Sequence, residues 1–201
     1  MKSDPDRELV EACQATTPSG LEGAFRRLYD QYKDRVYNVC FRITGNATDA
    51  LDASQETFGV MFRKIADFRF ESKFSSWVYR IAVNAAIDLK RRSASRWLPS
   101  LEVQNEHTRP SARADLSDER TEAPLSAATR HELEAEIQSA ISRLSPKMRA
   151  IVVLRYVENL SYEEISEALQ ISLGTVKSRL SRAHEALDRE LTPVLDRHFL
   201  R

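Results

Sequence analysis

The stretch 161–190, SYEEISEALQISLGTVKSRLSRAHEALDRE, decides how the rest of the chain is read. Ser161 and Glu164 have the spacing of a capping box, in which the hydroxyl and the carboxylate each accept a backbone N–H from the other residue. A helix is predicted over 161–169, then a tight connection over 170–173 and a longer helix beyond. Ile165, Leu169, Ile171, Val176 and Leu180 supply the apolar contacts that lock two such helices into a helix-turn-helix. At about 100° per residue, Val176, Leu180, Ala183 and Leu187 gather on one side of the second helix. The other side presents Ser178, Ser181 and Arg182, flanked by Lys177 and Arg179.

The whole chain balances 30 basic against 30 acidic residues, yet from Ile171 to Arg182 there are three cations and no acid. Attraction to nucleic acid must therefore come from local patches. A helix N-terminus and basic side chains suit phosphates, and Lys177, Arg179 or Arg182 can hydrogen-bond guanine edges in the major groove. An ordinary αα-hairpin with a solvated charged face has the same periodicity, and a helix-turn-helix by itself says only that DNA is bound.

Upstream, Ser145-Pro146 reads as an N-cap before a first-turn proline, and helical periodicity begins near His131. Before that, 93–128 is punctuated by Pro99, Pro110 and Pro124 and is poor in large apolar residues, with four Arg against six Asp plus Glu. This composition predicts a mildly acidic flexible linker. It divides the chain into domains at 1–92 and 129–201, both helical, so the expected fold is all-α: two small helical domains on a tether.

In the first domain, Phe25, Leu28, Tyr29, Tyr32, Val36, Val39, Cys40 and Ile43 recur at helical steps and predict one buried face, ending near 43–46. A second helix over about 48–65 is expected to turn Leu51, Phe58, Met61, Phe62 and Ile65 inward. A third, over about 76–92, is expected to bury Val78, Ala82, Ala85 and Leu89. On that third helix Trp77, Arg80, Asn84 and Arg91 fall along one stripe that ends in Lys90-Arg91-Arg92. An aromatic edge, an amide and cations suit a strand whose bases have been unstacked. Trp77 fits a core position equally well, and the terminal cations also suit a helix C-terminus. Asn84 is a poor helix former in mid-helix and calls for a separate reason.

Asp49, Asp52 and Glu56 lie three and four apart on the second helix. A metal-binding carboxylate cluster, as in a nuclease, is one reading. No His accompanies them, and such a group more often makes a solvated face. Cys13 and Cys40 lack any zinc or disulfide-framework spacing and read as thiols of a reducing cytoplasm. No apolar run reaches the roughly 20 residues of a membrane span, and MKSDPDRELV has no signal core, so a cytoplasmic protein is expected.

Residues 49–92, DALDASQETFGVMFRKIADFRFESKFSSWVYRIAVNAAIDLKRR, resemble conserved region 2 of extracytoplasmic-function sigma factors. The segment 143–190, with LSYEEISEAL and GTVKSRLSRA, resembles their region 4. The resemblance implies a subunit that lends promoter choice to RNA polymerase and catalyses nothing itself, with no cofactor and no metal. It implies that Lys73, Phe74, Trp77, Arg80, Asn84, Lys90, Arg91 and Arg92 meet the minus-ten element, where the loop near 70–75 and the Asn84 face capture a flipped non-template base. Thr175, Lys177, Ser178, Arg179, Ser181 and Arg182 would meet minus-35 duplex DNA; some relatives have an aromatic in place of Ser181, so a different promoter sequence is expected. Asp49, Asp52, Gln55, Glu56 and Arg63 would dock on the β′ clamp helices of core polymerase, and the β flap would be a second contact. Many relatives are restrained by an anti-sigma factor, which the tether would permit; no sensory domain is expected after region 4. The competing readings are a helix-turn-helix regulator with an N-terminal effector or dimerisation domain, and a nuclease built on Asp49, Asp52 and Glu56.

Overall fold

The computed structural model describes residues 4–15, 18–96 and 127–199; most of the expected linker, with its three prolines, lies outside them. Among the described residues, eight α-helices follow in order: α1 (Arg7–Gln14), α2 (Pro18–Thr44), α3 (Ala47–Lys64), α4 (Phe74–Arg96), α5 (Ala127–Arg143), α6 (Pro146–Tyr156), α7 (Tyr162–Leu169) and α8 (Leu173–Phe199). A short 3-10 turn, Ile65–Asp67, opens the loop between α3 and α4. Helices α1 to α4 pack together, α5 to α8 form a second group, and the second group rests on α2 and α4.

Local chemistry sets most of the boundaries. Asn46 accepts the N–H of Asp49 at 2.8 Å to start α3, and Ser145 caps α6 ahead of Pro146. Both halves of the Ser161/Glu164 box are made, at 3.2 and 2.8 Å. Gln170 ends α7 in the left-handed region at φ 52°, which turns the chain into α8. Gly45, at φ 85°, does the same after α2, where a side chain would be strained.

The first domain's core is Leu28, Tyr32, Val36, Val39 and Ile43 of α2 against Val78, Tyr79, Ala82, Val83 and Ala86 of α4. Two expectations are corrected here. Tyr29 is 42% exposed, and α3 keeps only part of its expected face inside: Met61 and Ile65 are buried and Phe58 packs partly buried against the core, but Leu51 and Phe62 are each 51% exposed, and Ala50, Ala53, Ser54 and Thr57 are buried instead. Small residues let α3 lie close between α2 and α4, and the Ser54 and Thr57 hydroxyls donate back to the Ala50 and Ala53 carbonyls at 2.7 Å, so their burial leaves nothing unpaired. The exposed rings pack edge-on against half-buried ones, Tyr29 on Phe58 and Phe62 on Phe25. In α4, Ala85 and Leu89 are only half-buried, because Tyr79, Val83 and Ala86 take the inner positions.

The two groups of helices share a core, to which Ile151, Leu154, Leu160 and Ile165 contribute. Charged residues are buried at the seam. Arg149 is 1% exposed and donates to the carbonyls of Ile141 and Leu144 at 3.0 Å, and also to those of Ser142 and Ile43. One guanidinium thus satisfies the C-terminal carbonyls of α5 and one from the end of α2, where the helix dipoles favour a cation. Glu158 accepts from the Tyr79 hydroxyl at 2.5 Å and from Arg35 Nε at 2.9 Å, tying the second group to both α4 and α2. Among the described residues, no helix is long and apolar enough to cross a membrane.

Candidate nucleic-acid interface

Helix α4 and the loop ahead of it hold the residues expected to meet a separated strand. Phe68, Phe70, Phe74 and Trp77 form a connected aromatic group, with the Phe68 ring 5.0 Å from Phe70, 5.4 Å from Phe74 and 5.2 Å from Trp77. Phe70 sits at φ 56°, a conformation costly for a large non-glycine residue and kept only where surroundings impose it. Phe74 is completely buried, so within the expected minus-ten set it is a packing residue beneath the loop. Trp77 is 9% exposed: it is packed in the core, as its core reading expects, and it also lines a cavity.

That cavity is a groove of about 840 Å³ between α3 and α4. Trp77, Arg80, Asn84 and Arg92 line it from α4, and Asp52 and Glu56 line it from α3. Asn84 is exposed there, which fits a side chain kept for a contact outside the fold. A second hollow of about 410 Å³ adjoins it, with Trp77 and Arg80 on one side and Arg69, Glu71 and Ser72 of the loop on the other. Gln170 reaches both cavities, and Glu167 the second. Lys73 is paired with Glu164 across the same seam. The start of the helix-turn-helix connection therefore edges the groove of the first domain, which sequence periodicity could not have indicated.

The basic end of α4 is divided. Lys90 is half-buried and donates to the Thr44 carbonyl at 3.0 Å; burial, reinforced by the nearby Arg149 cation, pulls its pKa below the usual lysine value. It caps α2. Arg91 pairs with Asp88 at 3.1 Å, and Arg92 stays exposed on the groove. Of Lys90-Arg91-Arg92, Lys90 thus serves charge compensation at a helix end, and Arg92 is left exposed on the groove.

On α3, Asp52, Gln55, Glu56 and Arg63 are exposed, Asp49 is half-exposed, and Glu56 pairs with Arg63 at 3.3 Å. Asp49 is engaged with the Asn46 side chain at 2.8 Å. The outward Leu51 and Phe62 run beside this polar set, so the face is an apolar ridge with charged flanks. Among the described residues, no group of three His, Cys, Asp or Glu side chains is placed to share a metal ion.

The second candidate surface is the start of α8. Ser172 caps it, accepting the Thr175 N–H at 3.2 Å and bonding the Thr175 hydroxyl at 2.9 Å. Val176, Leu180 and Ala183 are buried against the second group of helices, as their spacing requires. Lys177, Ser178, Ser181 and Arg182 are exposed on the opposite side, with Thr175 and Arg179 half-exposed beside them. The helix N-terminus and the cations thus face solvent together, as a reader of duplex DNA needs.

Residues 28–96 match the family model for sigma-70 region 2, and residues 134–187 the model for sigma-70 region 4. The ECF RNA polymerase sigma factor SigW of Bacillus subtilis is 37% identical over 172 residues, 86% of this chain and 91% of its own length. The RNA polymerase sigma-H factor of Pseudomonas aeruginosa is 34% identical over 195 residues, 97% of this chain and 98% of its own. Among solved structures, CnrH in complex with the cytosolic domain of CnrY has a similar fold, with a TM-score of 0.65 at 23% identity over 92% of this chain and 96% of CnrH. The Bartonella quintana sigma factor RpoE, solved with the anti-sigma factor NepR, gives a TM-score of 0.60 at 20% identity over 83% of this chain and 96% of that one.

Proposed function

The chain belongs to the extracytoplasmic-function group of the sigma-70 family of RNA polymerase sigma factors, and from that membership we propose a division of labour among its helices. Residues 1–92 act as region 2: the outer face of α3 docks on the β′ clamp helices through Asp52, Gln55, Glu56 and Arg63, and α4 with its preceding loop takes the melted minus-ten non-template strand. Residues 129–201 act as region 4: the start of α8 reads the minus-35 duplex through Lys177, Ser178, Arg179, Ser181 and Arg182 and meets the β flap. Residues 93–128 tether the two. No bond is made or broken by the protein itself.

The observation that carries the reading is the exposed Asn84 amide, set in one groove with Trp77 and Arg80. A flipped base costs a few kcal/mol to extract from the stack, and a site offering an aromatic wall and an amide recovers that cost only for the base that fits. Melting is then driven by binding alone. The helix-turn-helix regulator does not explain such a groove. An anti-sigma factor, the kind of partner bound to the Bartonella protein, would hold the two regions together as they lie here, with Gln170 and Glu167 at the edge of the groove.

Reconstitution tests this directly. Mixed with core polymerase and genomic fragments, the chain should start transcription without any other sigma factor. Asn84→Ala should impair open-complex formation more than closed-complex binding; equal effects on both steps would remove base capture from the account.

A further inference from the structure

We propose that the N-terminal helix α1 is a brace that positions the base-reading loop, with Asp4, Arg7 and Gln14 as its positioning residues. This rests on the reading above that the loop after α3 and the face of α4 take the minus-ten strand. Helix α1 and the residues just before it lie outside the 28–96 stretch matched to region 2, and sequence pattern gave no role to Asp4, Arg7 or Gln14.

Three contacts reach three parts of one loop. At its start, the Gln14 amide Nε2 donates to the Ile65 carbonyl at 2.9 Å and to the Phe68 carbonyl at 2.8 Å, clamping the 3-10 turn between them. At its middle, the Arg7 guanidinium lies 4.1 Å over the ring of Phe70, the loop residue held at φ 56°. At its end, the Asp4 carboxylate accepts the Phe74 N–H at 2.7 Å. Phe74 is the first residue of α4, whose first turn has no acidic residue of its own, so Asp4 caps that helix from 70 positions away.

The brace is itself anchored. Asp6 is buried and accepts from Gln31 and from the Tyr32 hydroxyl at 2.5 Å each, while Val10 and Cys13 pack into the core. A shift in α1 therefore passes to Phe70, and from Phe70 through Phe68 to Trp77, because those rings are in contact. Left without these contacts, a loop holding Phe70 in a costly conformation would relax, and the groove would lose the shape that suits a flipped base.

The test uses the full chain with core polymerase on a promoter first selected by the unaltered protein. Asp4→Ala, Arg7→Ala and Gln14→Leu are each scored for affinity to core polymerase, for binding of minus-35 duplex, and for strand opening by permanganate reactivity. Asp4→Ala and Gln14→Leu are each expected to lower opening about tenfold, the worth of a lost charged or two-carbonyl hydrogen-bonded contact, and Arg7→Ala about threefold, the worth of an exposed cation–π contact, with the other two readouts unmoved. Asp4→Asn, which still caps, and Arg7→Lys, which keeps a cation over the ring, should restore most of the opening. Parallel loss of core affinity in all three, or unchanged opening in all three, overturns the brace. Arg7 is exposed, so its variant stays informative even where Asp4→Ala disturbs folding. Asn84→Ala runs alongside: if it impairs opening and the α1 variants do not, the brace alone falls, and if it leaves opening intact, the reading of the groove falls and takes the brace with it.

Discussion

Removing the Tyr79 hydroxyl should loosen the two halves of the protein more than removing the Arg35 charge. Both groups donate to one oxygen of Glu158, whose side chain is 4% exposed. Tyr79 is fully buried, and the Arg35 side chain is 48% exposed. A hydrogen bond to a buried carboxylate is worth about 1.5–3 kcal/mol. Tyr79→Phe keeps the ring and its packing, so the closing equilibrium should fall by that amount, a factor of roughly ten to a hundred. The Arg35 pair is screened by solvent, and Arg35→Gln should cost about 1 kcal/mol or less. A fluorescent pair on Arg26→Cys and Asp188→Cys, both exposed positions on opposite halves, reports separation through a mild urea titration. The midpoint of separation should move further for Tyr79→Phe than for Arg35→Gln. The reverse order, or no movement with either, would refute the argument from burial.

Arg149→Met strands four carbonyls in the interior and should cost about 3–5 kcal/mol in chemical denaturation, with Arg149→Lys recovering less than half because an ammonium cannot reach all four; a loss under about 1 kcal/mol would show that water replaces the guanidinium. The Cys40 thiol is pushed up to about 11 by burial, against the neighbouring Ser54 and Thr57 hydroxyls, which lower it. The folded chain therefore holds a proton that the unfolded chain releases between 9.0 and about 11, so stability should fall with rising pH across that window, and Cys40→Ala should flatten the fall. Burial raises the Glu164 pKa, but hydrogen bonds from Lys73 and the Ser161 N–H outweigh it and hold the carboxyl below its ordinary 4.5. Its contribution is complete above 4.5 and is lost as pH falls further, so the labelled pair should separate more readily in acid, and Glu164→Gln, which can still cap, should remove that dependence.

The helix-turn-helix was legible because its signals are local. A capping box and the apolar steps from Ile165 to Leu180 involve residues a few positions apart, and the hydrogen bonds they predict are made. On α3 and at its end, Met61 and Ile65 are buried as their spacing predicts, but Leu51 and Phe62 were misjudged for the opposite reason. The helix's large apolar residues do lie on one stripe, but how closely α3 approaches α2 and α4 decides which stripe goes inside, and a close approach favours Ala50, Ala53 and Ser54 over Leu51 and Phe62. Arg149 and Glu158 look like ordinary surface charges in sequence; their partners, Ile43, Arg35 and Tyr79, are far along the chain. The three braces of α1 escaped for the same reason, since Asp4 and Gln14 bond backbone groups that leave no mark on side-chain pattern.

A chain of zero net charge can hold a polyanion only where its cations are not already answered by its own acids. In the closed arrangement Lys73 is committed to Glu164 and Arg35 to Glu158, both across the seam between the halves, and Gln170 borders the Trp77 groove. At the start of α8, Lys177, Ser178 and Arg182 are exposed, and the acid near Lys177 is Glu163 of the same half. Separation of the halves would therefore change the two candidate surfaces unequally, uncovering the loop end of the groove and releasing Lys73 while leaving the start of α8 as it was. On the roles proposed above, duplex contact through α8 needs no such separation, whereas Lys73 and the loop end of the groove become free for a strand only with it. An order of engagement follows from where the acids sit, with Glu158 and Glu164 of the second half acting as internal competitors for the cations of the first.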